Sequence, residues 1–184
     1  MQSHTDGRPD ATGSPSGDGA PRIGGDEPPL DAVRDDEGRP IRFHPYRPAV
    51  RPALVAMYAR FDPTERAQGI PPVRPAGIED WLDAVLAGPS MVAWHRDRVV
   101  GHVAFVPDGE GSHELAVFVH QDYQEAGVGS ALLPAALDYA RTAGVTDVWL
   151  TVAGGNTRAR RLYRAAGFTR DDATGGALRL SRTL

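Results

Sequence analysis

His113-Glu-Leu-Ala-Val-Phe-Val-His120, then Gln121-Asp-Tyr-Gln-Glu-Ala-Gly-Val-Gly-Ser130, then Ala131-Leu-Leu-Pro-Ala-Ala-Leu-Asp-Tyr-Ala-Arg-Thr-Ala143 reads as strand, glycine-rich turn and helix. The strand sets Leu115, Val117 and Val119 against Ala116, Phe118 and His120, apolar on both faces, as expected in the middle of a sheet. The helix repeats Val128, Leu132, Ala136 and Ala140 at four-residue spacing, with Leu133 and Leu137 beside them. Between the two, Gln124-Glu125-Ala126-Gly127-Val128-Gly129 offers two residues without Cβ atoms, so a ligand can approach the backbone closely. The first N–H groups of the helix have no intrahelical acceptor and carry the positive end of its dipole. The turn is therefore either a connection and nothing more, or a seat for a phosphate or pyrophosphate.

What the chain lacks narrows the second reading. All 20 Lys+Arg residues are Arg, which excludes a Gly-Lys-Ser/Thr phosphate loop and Schiff-base catalysis. A dinucleotide site would want a third glycine and an acidic residue closing the next strand, and Asp147-Val-Trp-Leu-Thr-Val-Ala153 ends without one. With no cysteine, thiol nucleophiles, disulfides and thiolate-bound zinc are excluded. His95, His102, His113 and His120 show no close-set metal-ligand spacing, so no metal is expected.

The 184 residues suit one domain plus a tail. Residues 1–39 hold seven Gly, five Pro, nine acidic residues and four Arg, with no aromatic residue. That composition reads as a disordered acidic tail, leaving residues 40–184 as the folded domain. The tail carries a formal −5 and the remainder +1, so the net charge of −4 belongs to the tail, and no nucleic-acid partner is expected. No membrane-length apolar segment and no signal-peptide pattern are visible, and a cytoplasmic location is the expectation. Within the domain the patterning predicts a strand at 40–44, a helix at 50–61 and a long connection at 62–76. A helix at 78–86 follows, then strands at 91–95 and 99–106 ahead of the quoted stretch. After it come a strand at 146–152, a helix at 156–166 capped by Gly167, and strands near 168–172 and 177–183. Pro134 falls inside the principal helix and predicts a kink or a widened turn there.

Gln124-x-x-Gly127-x-Gly129 after an apolar strand, with Asn156-x-x-Ala159-x-x-x-Tyr163 and Gly167-Phe168 after the next, resembles the GNAT superfamily of acyl-CoA-dependent N-acyltransferases over about residues 40–184. The resemblance implies an α/β fold with a mixed, mostly antiparallel sheet flanked by helices and splayed between the fourth and fifth strands of the domain. It implies acetyl-CoA as co-substrate, its pyrophosphate on the backbone amides of Gln124, Glu125, Ala126, Gly127, Val128, Gly129 and Ser130. The pantetheine should then pair with the open strand edge near Phe118 and Val119, with Asn156 beside it. Family members often carry a basic residue just before the glycine pair; Glu125-Ala126 departs from this and leaves more to the amides.

Acetyl transfer needs a neutral amine, a polarised thioester carbonyl and a stabilised sulfur leaving group. The resemblance places a general base at Glu114, whose alternative is a carboxylate held in an ion pair. His120, His102 and His113 are competing bases, since a free imidazole titrates near ~6.5. By pattern Tyr163 is a core aromatic on the stripe Ala159, Leu162, Tyr163, Ala166; by resemblance its hydroxyl lies beside the thioester sulfur. Asn156 is an N-cap by position. Arg158, Arg160, Arg161 and Arg164 form the polar side of that helix, a solvated face or a contact for the CoA 3′-phosphate. The resulting expectation is an N-acetyltransferase working by direct transfer in a ternary complex, against a non-catalytic acyl-CoA sensor on the same fold. Its partners would be acetyl-CoA and an amine acceptor, small molecule or protein, without a membrane; a homodimer is allowed.

Overall fold

A computed structural model describes residues 31–62, 71–174 and 176–184. Among the described residues eight strands form one sheet: β1 (Asp31–Arg34), β2 (Pro40–Pro45), β3 (Ser90–His95), β4 (Arg98–Pro107), β5 (His113–Val119), β6 (Asp147–Ala153), β7 (Thr169–Thr174) and β8 (Ala177–Thr183), in the order β1-β2-β3-β4-β5-β6-β8-β7. Every neighbouring pair is antiparallel except β5 and β6. Those two meet only at His113↔Val148 and Glu114↔Trp149, after which their C-terminal halves separate. Counted from Pro40 they are the fourth and fifth strands, so the sheet splits where the resemblance requires.

Helices cover both faces. On one, α3 (Val128–Thr142) buries Val128, Leu132, Leu133, Ala136, Leu137 and Ala140 against Val103, Phe105, Leu115, Val148 and Leu150. On the other, α1 (Arg51–Ala59) and α2 (Pro75–Val85) bury Leu54, Met57, Tyr58, Ile78 and Leu82 against Val92, Trp94 and Val99. Arg51 ties the two helices together, donating to the carboxylates of Glu79 at 2.8 Å and Asp83 at 2.7 Å. Covered on both sides, β4 is buried without interruption from Val99 to Phe105, hence its apolar run, broken by His102. α4 (Thr157–Ala165) ends in a Schellman motif: Phe168 N–H donates to Tyr163 O at 3.0 Å and Gly167 N–H to Arg164 O at 3.0 Å, with Gly167 at φ +82°.

Three expectations change. The sheet takes in residues ahead of Pro40: β1 pairs with β2 from Asp31↔Phe43 to Arg34↔Pro40, with Val33 packed on the core. Four residues of strand inside a polar window are too few for composition to register. α2 starts at Pro75, inside the segment assigned to a connection, because a proline at the first helical position costs no hydrogen bond. Pro134 brings no widened turn; α3 is α-helical from Val128 to Thr142. The carbonyl that Pro134 leaves without a donor, that of Ser130, belongs to an exposed residue where solvent can satisfy it. Residues 1–30 of the tail and 63–70 of the 62–76 connection lie outside the described residues.

Candidate functional site

The turn between β5 and α3 has the geometry of an anion seat. Glu125 (φ +62°) and Gly127 (φ +78°) both lie in the left-handed region, and alternation of this kind curls successive N–H groups into a concavity. The first ladder bond of α3 runs from Ala131 N–H to Gly127 O at 3.1 Å, so the N–H groups of Val128, Gly129 and Ser130 precede the ladder. Glu125 is not a glycine, and a residue held there costs about 1–3 kcal/mol, a strain typical of ligand-binding turns.

Two elements outside the turn hold it. From the β1–β2 hairpin, Asp36 N–H donates to Ala126 O at 3.0 Å and Arg39 Nη1 to Asp122 O at 3.0 Å, while the Arg39 guanidinium lies 4.2 Å from the centre of the Tyr123 ring. Arg39 is itself fixed by the buried Asp35, whose Oδ2 accepts from Nε at 2.6 Å and whose Oδ1 accepts from the Arg39 and Glu37 N–H groups. Burial alone would raise the Asp35 carboxyl; the Arg39 hydrogen bonds and charge, with the Glu37 N–H, outweigh it and hold it below its ordinary value. From α4, Arg158 Nη1 donates to Gln124 Oε1 at 3.2 Å and to Glu125 Oε1 at 3.3 Å. The cation that the turn lacks in sequence thus reaches it from across the split.

These contacts set residues 31–38 apart from the expected disordered tail and predict an effect of removing residues 1–38. Deleting them should lower the thermal midpoint by about 5 °C or more relative to a variant lacking only residues 1–30. It should also weaken acetyl-CoA binding, because Arg39 and the turn both lose their braces. Calorimetry on the two truncations checks this, and equal values would return residues 31–38 to the tail.

The free edge of β5 faces the split. Phe118 pairs with His102, and His120 N–H donates to Val100 O at 2.9 Å, so alternate residues spend their backbone groups on β4. By that alternation Val117 and Val119 turn theirs toward β6. The Val119 carbonyl is taken by Gln124 Nε2 at 3.2 Å, leaving its N–H and the Val117 groups for a ligand. Phe118 is corrected on this point: its backbone is committed to β4, and its ring joins the α1–α2 face. There it meets Tyr58 and Trp81 edge-on, with centroids at 5.4 and 5.5 Å.

Glu114 lies on that same face of β5, at the root of the split, and is exposed. Among the described residues no ion pair or hydrogen bond engages its carboxylate, so the alternative of a paired edge carboxylate is not what the fold builds. His102 is fully buried, its Nδ1 2.6 Å from the Tyr58 hydroxyl and its Nε2 without a partner. Burial pushes its pKa down to about 3. A base sealed from solvent that stays neutral cannot carry protons away from an amine, and His102 drops out as a competitor. His120 is also lowered by burial, and it accepts from Asp122 N–H in the short turn 121–123, a structural use. Among the described residues His113 Nδ1 is buried without a partner.

One buried and two partly buried imidazoles set a pH dependence. His95, His102 and His120 are each held below the ordinary value, first by burial. Below about pH 6.5 the unfolded chain takes up protons that the native state refuses. For the fully buried His102, stability should therefore fall as pH falls by up to about 1.4 kcal/mol per unit, while the partly exposed His95 and His120 add less because solvent screens them. For His102 the loss runs from about 6.5 down to about 3. The double variant Tyr58→Phe/His102→Leu should flatten the stability slope between about pH 6.5 and 5 by close to one proton. Urea titrations at several pH values measure it, and an unchanged slope would contradict a neutral His102.

On the opposite face, Asn156 caps α4, its Oδ1 accepting from Ala159 N–H at 3.0 Å. Tyr163, two turns along, packs on the α3 core with its ring 5.9 Å from that of Phe168. Burial pushes its hydroxyl up to about 12, so it stays protonated at neutral pH, and among the described residues no hydrogen bond takes it up. Glu114 and Tyr163 thus stand on opposite faces of a sheet that is open between β5 and β6.

A split mixed sheet carries an amide-lined turn at one lip and a tyrosine-bearing helix at the other. The comparisons agree. Residues 53–168 match the family model described as Acetyltransferase (GNAT) family, and the chain belongs to that family. It is 33% identical over 154 residues to a mycothiol acetyltransferase of Beutenbergia cavernae, covering 79% of this chain and 50% of that protein. The chain thus spans about half the length of that curated relative. Among solved structures, the GNAT domain of S. lividans PAT superposes with a TM-score of 0.70 at 21% identity, covering 84% of this chain and 96% of that one. The structure of yncA from Salmonella typhimurium with its cofactor acetyl-CoA superposes at 0.61 and 21% identity, covering 78% and 93%. No helix among the described residues is long and apolar enough to cross a membrane.

Proposed function

We propose that the chain transfers an acetyl group from acetyl-CoA to a primary amine by direct attack in a ternary complex. The observation that carries this is the pairing of a row of amides outside the helical ladder, at Val128, Gly129 and Ser130, with a free β5 edge that leads to Tyr163 and Glu114. The pyrophosphate would lie on the turn from Gln124 to Ser130, braced by the β1–β2 hairpin and Arg158. Pantetheine would take the edge groups of Val117 and Val119 as a substitute for the strand pairing that β6 gives up, with Asn156 alongside. The acceptor would enter from the α1–α2 face, where Trp81 and Phe118 are only partly buried.

The proton inventory follows from the residues. The ammonium loses a proton to Glu114, through water; the free amine attacks the carbonyl carbon, the C–S bond breaks as the C–N bond completes, and the extra proton on the new amide nitrogen leaves through water to the departing sulfur, giving the amide and the CoA thiol. The departing thiolate receives a hydrogen bond from the Tyr163 hydroxyl. An amine panel assayed for acetyl-CoA-dependent CoA release, including protein lysines, peptide N-termini and small amines, tests the reading. Binding of acetyl-CoA without amine-dependent release would instead mark a sensor. Glu114→Gln keeps shape but cannot take a proton: turnover should fall by roughly 10²-fold and the acidic limb of the pH profile should move or vanish. An unaltered profile would pass the role to solvent or His120.

A further inference from the structure

Beyond β6 from the split, a cavity of about 170 Å³ opens between α4 and the β7–β8 hairpin. Its floor is apolar: Phe168 and Leu180 are 5% and 8% exposed, with Leu178 beside them. Its rim is three guanidinium groups, those of Arg160, Arg164 and Arg170. Among the described side chains no carboxylate pairs with any of them; Arg160 makes one neutral contact, donating to Gly154 O at 3.1 Å. Arg160 and Arg164 stand one turn apart on α4, a spacing at which like charges repel.

Arg170 is brought to this group by a β-bulge. Arg170 pairs with Leu180 and Asp172 with Arg179, so Asp171 is the extra residue. The bulge leaves Arg170 in register with the buried Leu180, while the Asp171 carboxylate accepts from Ser181 Oγ at 2.5 Å instead of meeting the arginine. Bulges re-aim side chains next to functional sites. Here the result is a concentration of positive charge over a greasy floor, with the adjacent Asp171 engaged by Ser181.

We propose that this cavity is a second binding site, for a compact organic anion that sets a carboxylate or phosphate among Arg160, Arg164 and Arg170 and an apolar body on Phe168 and Leu180. Planar guanidinium forks match both head groups and bind them with charge-assisted hydrogen bonds. The site is separated from the β5–β6 split by β6, and it does not rest on the acetyltransfer reading. Its occupant would press on the helix that carries Asn156 and Tyr163, which gives it a path to the cleft.

The full chain is titrated with benzoate and with inorganic phosphate by calorimetry and thermal shift, chloride holding the ionic strength constant. Saturable binding of at least one probe is expected, weakened by about tenfold or more in Arg164→Gln/Arg170→Gln, both exposed positions where folding should survive. Arg161→Gln, exposed on the same helix outside the cavity, should bind as the parent does. Absence of saturable binding by either probe, or equal weakening in Arg161→Gln, overturns the proposal. So does a double variant that loses affinity for CoA but not for 3′-dephospho-CoA, since the cavity would then belong to the cofactor.

Discussion

Gly129→Asp is expected to abolish acetyl-CoA binding by calorimetry while leaving the circular dichroism spectrum of the folded chain intact. The packing makes this a clean test. A Cβ placed at Gly129 would lie 3.5 Å from Val119 Cγ2 and 3.8 Å from Leu162 Cδ2, ordinary contact distances. Its φ is not in the left-handed region, so the protein's own geometry does not demand glycine there. An aspartate in the first turn of a helix is even favourable to the helix dipole. What it would oppose is a second anion on the same amides: the carboxylate would compete for the N–H groups and repel the phosphates. Asp36 and Glu125 already place carboxylates around the turn, with Arg158 as the nearby counter-charge. Gly127 is different. Its φ is +78°, and a Cβ there would stand 3.3 Å from an Asp36 carboxylate oxygen, so a substitution would confound binding with strain. If Gly129→Asp binds acetyl-CoA as the parent does, the turn is a connection and nothing more.

Tyr163→Phe should reduce turnover by about 10²-fold with little change in acetyl-CoA affinity or thermal midpoint. The ring is what the core uses, through its contact with Phe168 and the α3 cluster, and phenylalanine keeps it. The hydroxyl has no described partner to lose. With its pKa at about 12, well above the ~8.5 of a thiol, it would stabilise a departing thiolate as a hydrogen-bond donor rather than by early proton transfer. That interaction strengthens as charge develops on sulfur, so its loss should appear in kcat and not in binding. A drop in stability with unchanged turnover per folded molecule would make Tyr163 a core aromatic, as its helical stripe by itself suggests.

The periodicity of β5, the glycine spacing of the turn and the four-residue stripe of α3 sufficed to place strand, turn and helix, because each is a local pattern with a local cause. The same holds for the Asn156 cap and the Gly167 terminus, where one side chain or one backbone angle decides the outcome. Absence was equally legible: without lysine or cysteine, whole classes of chemistry fall away. The tertiary structure alone decided the rest. That Asp31–Arg34 joins the sheet depends on β2 offering an edge, which no window of composition contains. Arg158 looks like any solvated arginine until β5 and β6 part and set α4 opposite the turn. His102 and Glu114 are both polar residues in apolar strands, and their local pattern alone does not rank them as bases. Packing of α1 seals His102 beneath Tyr58, while Glu114 sits at the exposed root of the split. Burial is a property of what lies across the sheet, and it is burial that sorts a neutral core imidazole from a carboxylate able to exchange protons with water.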